Sequence, residues 1–285
     1  MRRATPLLVL LLTAGCGPDG GGHEADPPDG SVAPPADASP DAPERVQVAV
    51  DGNAAWTSTD VDMLRSELVR VSASGMISFN GETEVGPEGF SPDDNDEYNV
   101  VRCADHAALI GKVAAGGGAF LVGSSEYLLA PREGELSFGP NDKRTVDNTG
   151  AFAVIVEQDV PVEIVEMRSV TVPGNSSWID TGIDLVPDHL IAIDADGKVD
   201  NNIPGNEVDP DGSPGQPNDQ YNVLACANHM ALIGKIGEGG APFLVGRDLS
   251  RAAGASGRLF LRVNHSVPGG NTGKFSAGIL VASPR

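Results

Sequence analysis

Apolar and polar residues alternate over short runs in this chain: Val46, Val48 and Val50 open one, and Leu259, Leu261 and Val263 form another. Leu190 with Ala192, and Ile191 with Ile193, mark a third. Alternation of period two buries one face of a strand and wets the other. Clusters of Gly, Pro and Asn separate the runs at short spacing, and no segment carries a long helical stripe. The 36 Gly and 22 Pro, against 3 Tyr and 2 Trp, likewise favour short strands and many turns. The pattern predicts an all-β chain of antiparallel sandwiches rather than βαβ units. Lys112 and Lys235, each closing a short apolar run, are expected at strand edges or exits.

The blocks occur twice in one order. Gly52-Asn53-Ala54-Ala55-Trp56, followed by Thr59, Val61 and Asp62, returns as Gly174-Asn175-Ser176-Ser177-Trp178, followed by Thr181, Ile183 and Asp184, at an offset of 122. After one inserted residue the offset is 123: Tyr98-Asn99-Val100 matches Tyr221-Asn222-Val223, and His106 to Lys112 matches His229 to Lys235. Phe120-Leu121-Val122-Gly123 then matches Phe243-Leu244-Val245-Gly246, and Asn148-Thr149-Gly150 matches Asn271-Thr272-Gly273. Units of this length are domain-sized, so the chain is read as a tandem duplication, with copy one over residues 45–160 and copy two over 161–285.

Residues 1–15 read as an export signal: Arg2 and Arg3, an apolar stretch from Pro6 to Leu12, then small residues. The stretch is too short to span a bilayer. Leu12-Thr13-Ala14-Gly15-Cys16 resembles the bacterial lipobox, which makes Cys16 a lipidated N-terminus anchored in the envelope, at the outer membrane or cell surface. From residue 17 to 44 the chain has seven prolines, seven acidic residues and one aliphatic residue larger than alanine. Such a segment cannot form a core and reads as a disordered spacer reaching about 30 Å as a flexible coil. Loss of Arg2 and Arg3 with the leader takes the formal charge from −21 to −23. That charge argues against nucleic acid and against electrostatic membrane attachment, while suiting Ca²⁺, which takes carboxylate and carbonyl oxygens.

Trp178-x-x-Thr181-Gly182-Ile183-Asp184, Ala195-Asp196-Gly197, the run from Ala231 to Gly237, Pro242 to Gly246, and Asn264 before Asn271-Thr272-Gly273-x-Phe275 resemble the LecA (PA-IL) galactophilic lectin family. The likeness spans both copies. It implies jelly-roll, galactose-binding-like β-sandwiches that take glycans, galactosides above all, through Ca²⁺. In copy one the implied metal ligands are Asp142, Asp147 and Asn148, with backbone carbonyls of Phe79 and Thr145. From the residues alone, Asp147-Asn148-Thr149-Gly150 reads equally as a hairpin turn. Copy two has His265 in place of Asp142 and Gly270 in place of Asp147. Asn201, Asn264 and Asn271 then outline a degenerate second site that lacks a loop carboxylate. The family's sugar-contacting positions fall on Asp94 and Glu97 in copy one, and on Pro217 and Gln220 in copy two. Only Gln220 keeps the family's residue type, so galactose specificity does not follow from these positions.

Cys103-x-x-His106 and Cys226-x-x-His229 occupy equivalent places. Three readings stay open: a zinc shared by both pairs, a Cys103–Cys226 disulfide, or two small buried side chains, the commonest outcome. Glu207-x-Asp209-x-Asp211-Gly212 has a calcium-loop spacing, but Asn218 stands where a bidentate Glu is needed. No nucleophile elbow, His-Glu-x-x-His or phosphate loop is present, so an enzyme is not expected. Two functions remain: a Ca²⁺-assisted carbohydrate-binding lipoprotein, or a structural or adhesion protein of the envelope whose lectin-fold domains no longer bind sugar.

Overall fold

A computed structural model describes residues 44–91, 97–200, 205–214 and 220–285. Cys16, Asp94 and Asn201 lie outside the described residues. Copy one runs through β1 (Arg45–Asp51), β2 (Thr57–Met63), β3 (Leu68–Ser78), β4 (Glu84–Val85), β5 (Leu109–Val113), β6 (Phe120–Leu121), β7 (Ser125–Leu129), β8 (Gly134–Pro140) and β9 (Thr149–Glu157). Copy two follows with β10 (Val162–Pro173), β11 (Ile179–Leu185), β12 (Leu190–Asp200), β13 (Leu232–Ile236), β14 (Phe243–Leu244), β15 (Asp248–Ala252), β16 (Gly257–Val263) and β17 (Thr272–Pro284). Among the described residues there is no α-helix, and so none long and apolar enough to cross a membrane.

Each copy is an antiparallel β-sandwich. In copy one, β1-β9-β3-β4 with β7 on β3 forms one sheet and β2-β8-β5-β6 the other. In copy two, β10-β17-β12-β15 faces β11-β16-β13-β14, the same order of equivalent strands. Alternation explains the burial: in β1, Val50 is buried while Arg45, Gln47, Ala49 and Asp51 are exposed. The inward residues of both sheets share one core, Val50, Val71, Ile77, Phe152 and Val154 from one side meeting Met63, Leu109, Leu136 and Phe138 from the other. Copy two builds the counterpart from Ile191, Ile193, Phe275 and Ile279 against Ile183, Leu232, Leu259 and Leu261.

The repeated motifs have local causes. Thr59 and Thr181 each donate a side-chain hydrogen bond to the carbonyl of the neighbouring strand, at Leu136 and Leu259. Gly75 and Gly197 hold φ of +95° and +104°, and a Cβ at either would stand 2.6 or 2.5 Å from a backbone oxygen of the adjacent strand. Only glycine combines that backbone with that approach.

The two sandwiches belong to one compact unit and share a third apolar cluster. Leu68 and Leu129 of copy one pack there with Leu190, Ala192, Leu280 and Ala282 of copy two. Leu68 and Leu190 are repeat equivalents, as are Cys103 and Cys226, which form a disulfide with their Cα atoms 5.1 Å apart. Self-equivalent residues meet only near a pseudo-two-fold axis, the geometry of an isologous interface. The cysteines are therefore neither zinc ligands nor two separate buried thiols. His106 and His229 instead pair with Asn99 and Asn222, at 2.7 and 2.8 Å. Lys112 and Lys235 stand one residue from the ends of β5 and β13, past the rungs that pair with β6 and β14, and each ammonium sits over a tryptophan ring, Trp56 at 4.2 Å and Trp178 at 5.0 Å.

Candidate functional site

The loop between β8 and β9 holds the copy-one candidates. Asn141 opens it and is fully buried; its Oδ1 accepts from the Val101 amide, and its Nδ2 donates to the carbonyls of Val101 and Asp105. Its amide is thus spent on fixing the 99–105 loop beside the site. Asn264 does the same in copy two, accepting from Val223 and Leu224 and donating to Leu224 and Asn228.

Asp142 follows, only 4% exposed. Its Oδ1 accepts the Arg144 amide at 2.7 Å, and its Oδ2 accepts Asn148 Nδ2 at 3.1 Å. A short 3₁₀ turn, Thr145–Asp147, carries the chain round to Asn148, whose amide donates to the Thr145 carbonyl. Thr145 Oγ1 anchors the turn on the Asn53 carbonyl at 3.0 Å. Asn148 Nδ2 also donates to the Gly52 carbonyl at 3.1 Å. With Nδ2 facing two oxygens, Oδ1 must point elsewhere; it is buried and has no hydrogen-bond partner. A buried, unpaired amide oxygen costs about 1–3 kcal/mol unless a donor or a cation meets it.

The sequence reading is thus brought together in part. Asp142, Thr145 and Asn148 converge, whereas the Asp147 side chain is exposed. Phe79 adjoins the site through its ring, packed edge-on to His106 at 4.9 Å. Glu97 is exposed at the rim, its carbonyl accepting Lys143 Nζ at 3.1 Å, and Gln220 is exposed in copy two. Sequence reasoning considered His106 only as a zinc partner of Cys103 and did not assign Tyr98 to the site. Asn99 donates Nδ2 to the Ala104 carbonyl, so its Oδ1 receives the proton on His106 Nδ1. That turns His106 Nε2 toward Asp142 Oδ2, at 4.0 Å. The recurrence of Asn-(x)6-His in both copies was the available signal. Tyr98 stacks under the Arg144 guanidinium at 5.2 Å, and its hydroxyl beside that group raises the Arg144 pKa further.

Copy two shows the same frame with one change. Asn271 Nδ2 donates to the Gly174 carbonyl at 3.0 Å, as Asn148 does to Gly52. Its Oδ1 is met by His265 Nδ1 at 3.0 Å, the ring standing where copy one has the Asp142 carboxylate. His265 in turn packs on His229, with ring centroids 4.8 Å apart. The imidazole satisfies the amide oxygen that is unpaired in copy one.

Among the described residues, no three His, Cys, Asp or Glu side chains converge as metal ligands would. A cation in copy one would depend on a single buried carboxylate, the Asn148 amide oxygen and backbone carbonyls. That is an all-oxygen donor set of the kind Ca²⁺ takes. The orphaned, buried Asn148 Oδ1 fits such an ion. The carboxylates of the Glu207-x-Asp209-x-Asp211 segment are otherwise engaged: Lys198 pairs with Glu207 at 3.8 Å, and Arg247 with Asp209 at 2.6 Å and with Asp211 at 3.5 Å.

No protein-family model matches the chain, and no curated protein does. Among solved structures, the chain is similar to one described as "EclA N-terminal domain; PllA-like lectin", at 25% identity over 40% of this chain and 96% of that one, with a TM-score of 0.33. It is also similar to a structure titled "The Triple Jelly Roll Fold and Turret Assembly in an Archaeal Virus", at 11% identity over 84% of this chain and 59% of that one, with a TM-score of 0.24. These scores are low, and the sandwich assignment rests on the strand pairing itself.

Proposed function

We propose that the chain is a carbohydrate-binding lipoprotein of the bacterial envelope, tethered through Cys16, whose copy one binds a galactoside or related glycan with the help of Ca²⁺. The observation that carries the reading is the contrast between Asn148 Oδ1, buried and unpaired, and Asn271 Oδ1, capped by His265. One copy keeps a carboxylate and an open acceptor; the other has replaced both needs with an imidazole.

Asp142 and Asn148 would hold the ion, with carbonyls near Phe79 and Thr145 as further oxygens. Bound there, Ca²⁺ supplies a site to which vicinal sugar hydroxyls can bind directly. The chain's own residues prepare that site: Asn141 fixes the neighbouring loop, Asn99 sets the His106 tautomer, and Tyr98 offers an aromatic surface at the rim. The resemblance of the repeated blocks to LecA-type lectins supports the same ligand class. Copy two fits a sandwich retained for structure or adhesion, which accounts for His265 without requiring that it bind sugar.

A glycan array probed with the full chain, with and without chelator, tests the reading. Binding should require Ca²⁺ and be lost in Asp142→Ala. Glycan binding that persists in excess chelator, or in a folded Asp142→Ala protein, would exclude it. Cys16→Ser should release the protein from the membrane fraction or leave an unprocessed precursor.

A further inference from the structure

A cavity of about 270 Å³ lies between the copies, away from the Asp142 loop. Trp56, Lys112, Arg102 and the Gly117-Gly118 turn line it from copy one, and Asp211 and Leu244 from copy two. It exists only because the copies are docked. Arg247 Nη1 donates to the Gly116 carbonyl at 3.1 Å, and Gly118 N donates to Asp248 Oδ2 at 2.5 Å, pinning the copy-one turn to copy two.

Lys112 is the unusual member. Its equivalent, Lys235, also lies over a tryptophan, but Lys235 Nζ reaches the Glu238 carbonyl at 2.5 Å and the Glu238 carboxylate at 4.0 Å. The position equivalent to Glu238 is Ala115. Lys112 therefore keeps the ring contact and, among the described residues, has no hydrogen-bond or carboxylate partner. Partial burial lowers its pKa. Asp211, the acid in the far wall, cannot serve, because it accepts the Arg247 amide at 2.8 Å and pairs with its guanidinium.

We infer that this cleft is a binding site for a monosaccharide-sized carboxylic acid of the hexuronate class, with Lys112 receiving the carboxylate. The ligand's charge answers the ammonium, and its C–H face answers the apolar surface of Trp56 and Leu244. A cleft of this volume has room for a sugar ring. The net charge of −21 disfavours polyanions while leaving a single carboxylate tolerable. The site is independent of the proposed cation loop, none of whose residues reach the cavity.

The test is titration of the full chain in EDTA with glucuronate, galacturonate, glucose, acetate and inorganic phosphate, followed by calorimetry and by NMR. Both uronates, or one of them, should bind, shifting the Trp56 indole N–H and the Gly117 and Gly118 amides. Lys112→Met, which removes the charge and keeps an unbranched apolar side chain, should weaken uronate binding by about tenfold or more, and Lys235→Met should not. Asp142→Ala should leave uronate affinity unchanged, which separates this site from the proposed Ca²⁺ loop. Absence of uronate binding, or shifts confined to other residues, would overturn the proposal. So would glucose binding as tightly as the uronates, because the ammonium would then read nothing. Acetate or phosphate binding as tightly would reduce the cleft to a bare anion site and overturn the sugar assignment. Should Lys112→Met fail to fold, the wild-type shifts alone decide.

Discussion

Asn148 donates its side-chain amide to the Asp142 carboxylate at 3.1 Å, and the same amide leaves its own oxygen buried without a partner. If Ca²⁺ meets that oxygen, it binds the native state and not the unfolded chain. Unfolding temperature should then rise with Ca²⁺, by about 2.7 kcal/mol of stability at a hundred times Kd. Asp142→Ala and Asn148→Ala should each remove the response. Asn148→Asp should widen it, because a second carboxylate repels Asp142 in the absence of metal and strengthens the site in its presence. Thermal scans with and without chelator decide, and a Ca²⁺ response unchanged in Asp142→Ala rules this pair out as ligands.

Copy two offers the reciprocal experiment. His265→Ala should cost about 1–3 kcal/mol, because Asn271 Oδ1 loses its donor. His265→Asp with Gly270→Asp rebuilds the copy-one loop carboxylates. In an Asp142→Ala background this double change should restore a Ca²⁺ response. No restored response in a folded protein would show that the His265 position does not govern metal binding.

The disulfide closes a loop of 123 residues between the copies. Cys103→Ser or Cys226→Ser should each lower stability by about 2–5 kcal/mol, and the double variant should fall no further than either. Urea unfolding under oxidising and reducing conditions checks this, with reduced wild type matching the variants. Additive losses would point to packing rather than the cross-link.

Glu126 faces the inter-copy groove, and burial raises its carboxyl pKa, the Tyr127 backbone hydrogen bond and the Arg251 charge offsetting this only in part. A folded pKa above the unfolded one means the native state holds the proton more tightly. The resulting stability is fully present below the unfolded carboxylate range and is lost as pH rises through the folded value. Glu126→Gln should therefore stabilise the protein at pH 7 and flatten the pH dependence just above the ordinary carboxylate range. Denaturant midpoints at pH 5 and 7 test it; a variant less stable at both pH values contradicts it.

The sandwich class was legible because alternation such as that of Val46, Val48 and Val50 is a local signal with one geometric meaning. Asp142 and Asn148 were legible only through their likeness to a known loop. The exposure of Asp147 and the role of His106 were not, since both depend on how the 99–105 loop closes over the site. The position of Lys112 and Lys235 near strand ends was legible from the apolar runs they close, but the tryptophan ring beneath each was not, since it comes from a distant stretch of the chain. The Cys103–Cys226 bond needed the mutual orientation of the copies, which no residue within one copy encodes.

The ion pair between Arg132 and Asp248, 2.6 Å apart with the carboxylate fully buried, has no mirror image. The equivalent positions are Ala255 and Ser125. Two identical subunits joined about a true two-fold would have to make such a contact twice or not at all, since every substitution is inherited by both halves. Covalent fusion lifts that constraint. Each half can change alone while the shared interface keeps its partner in place, so one domain is free to lose a ligand loop and the seam between them to acquire a cleft that neither possesses by itself.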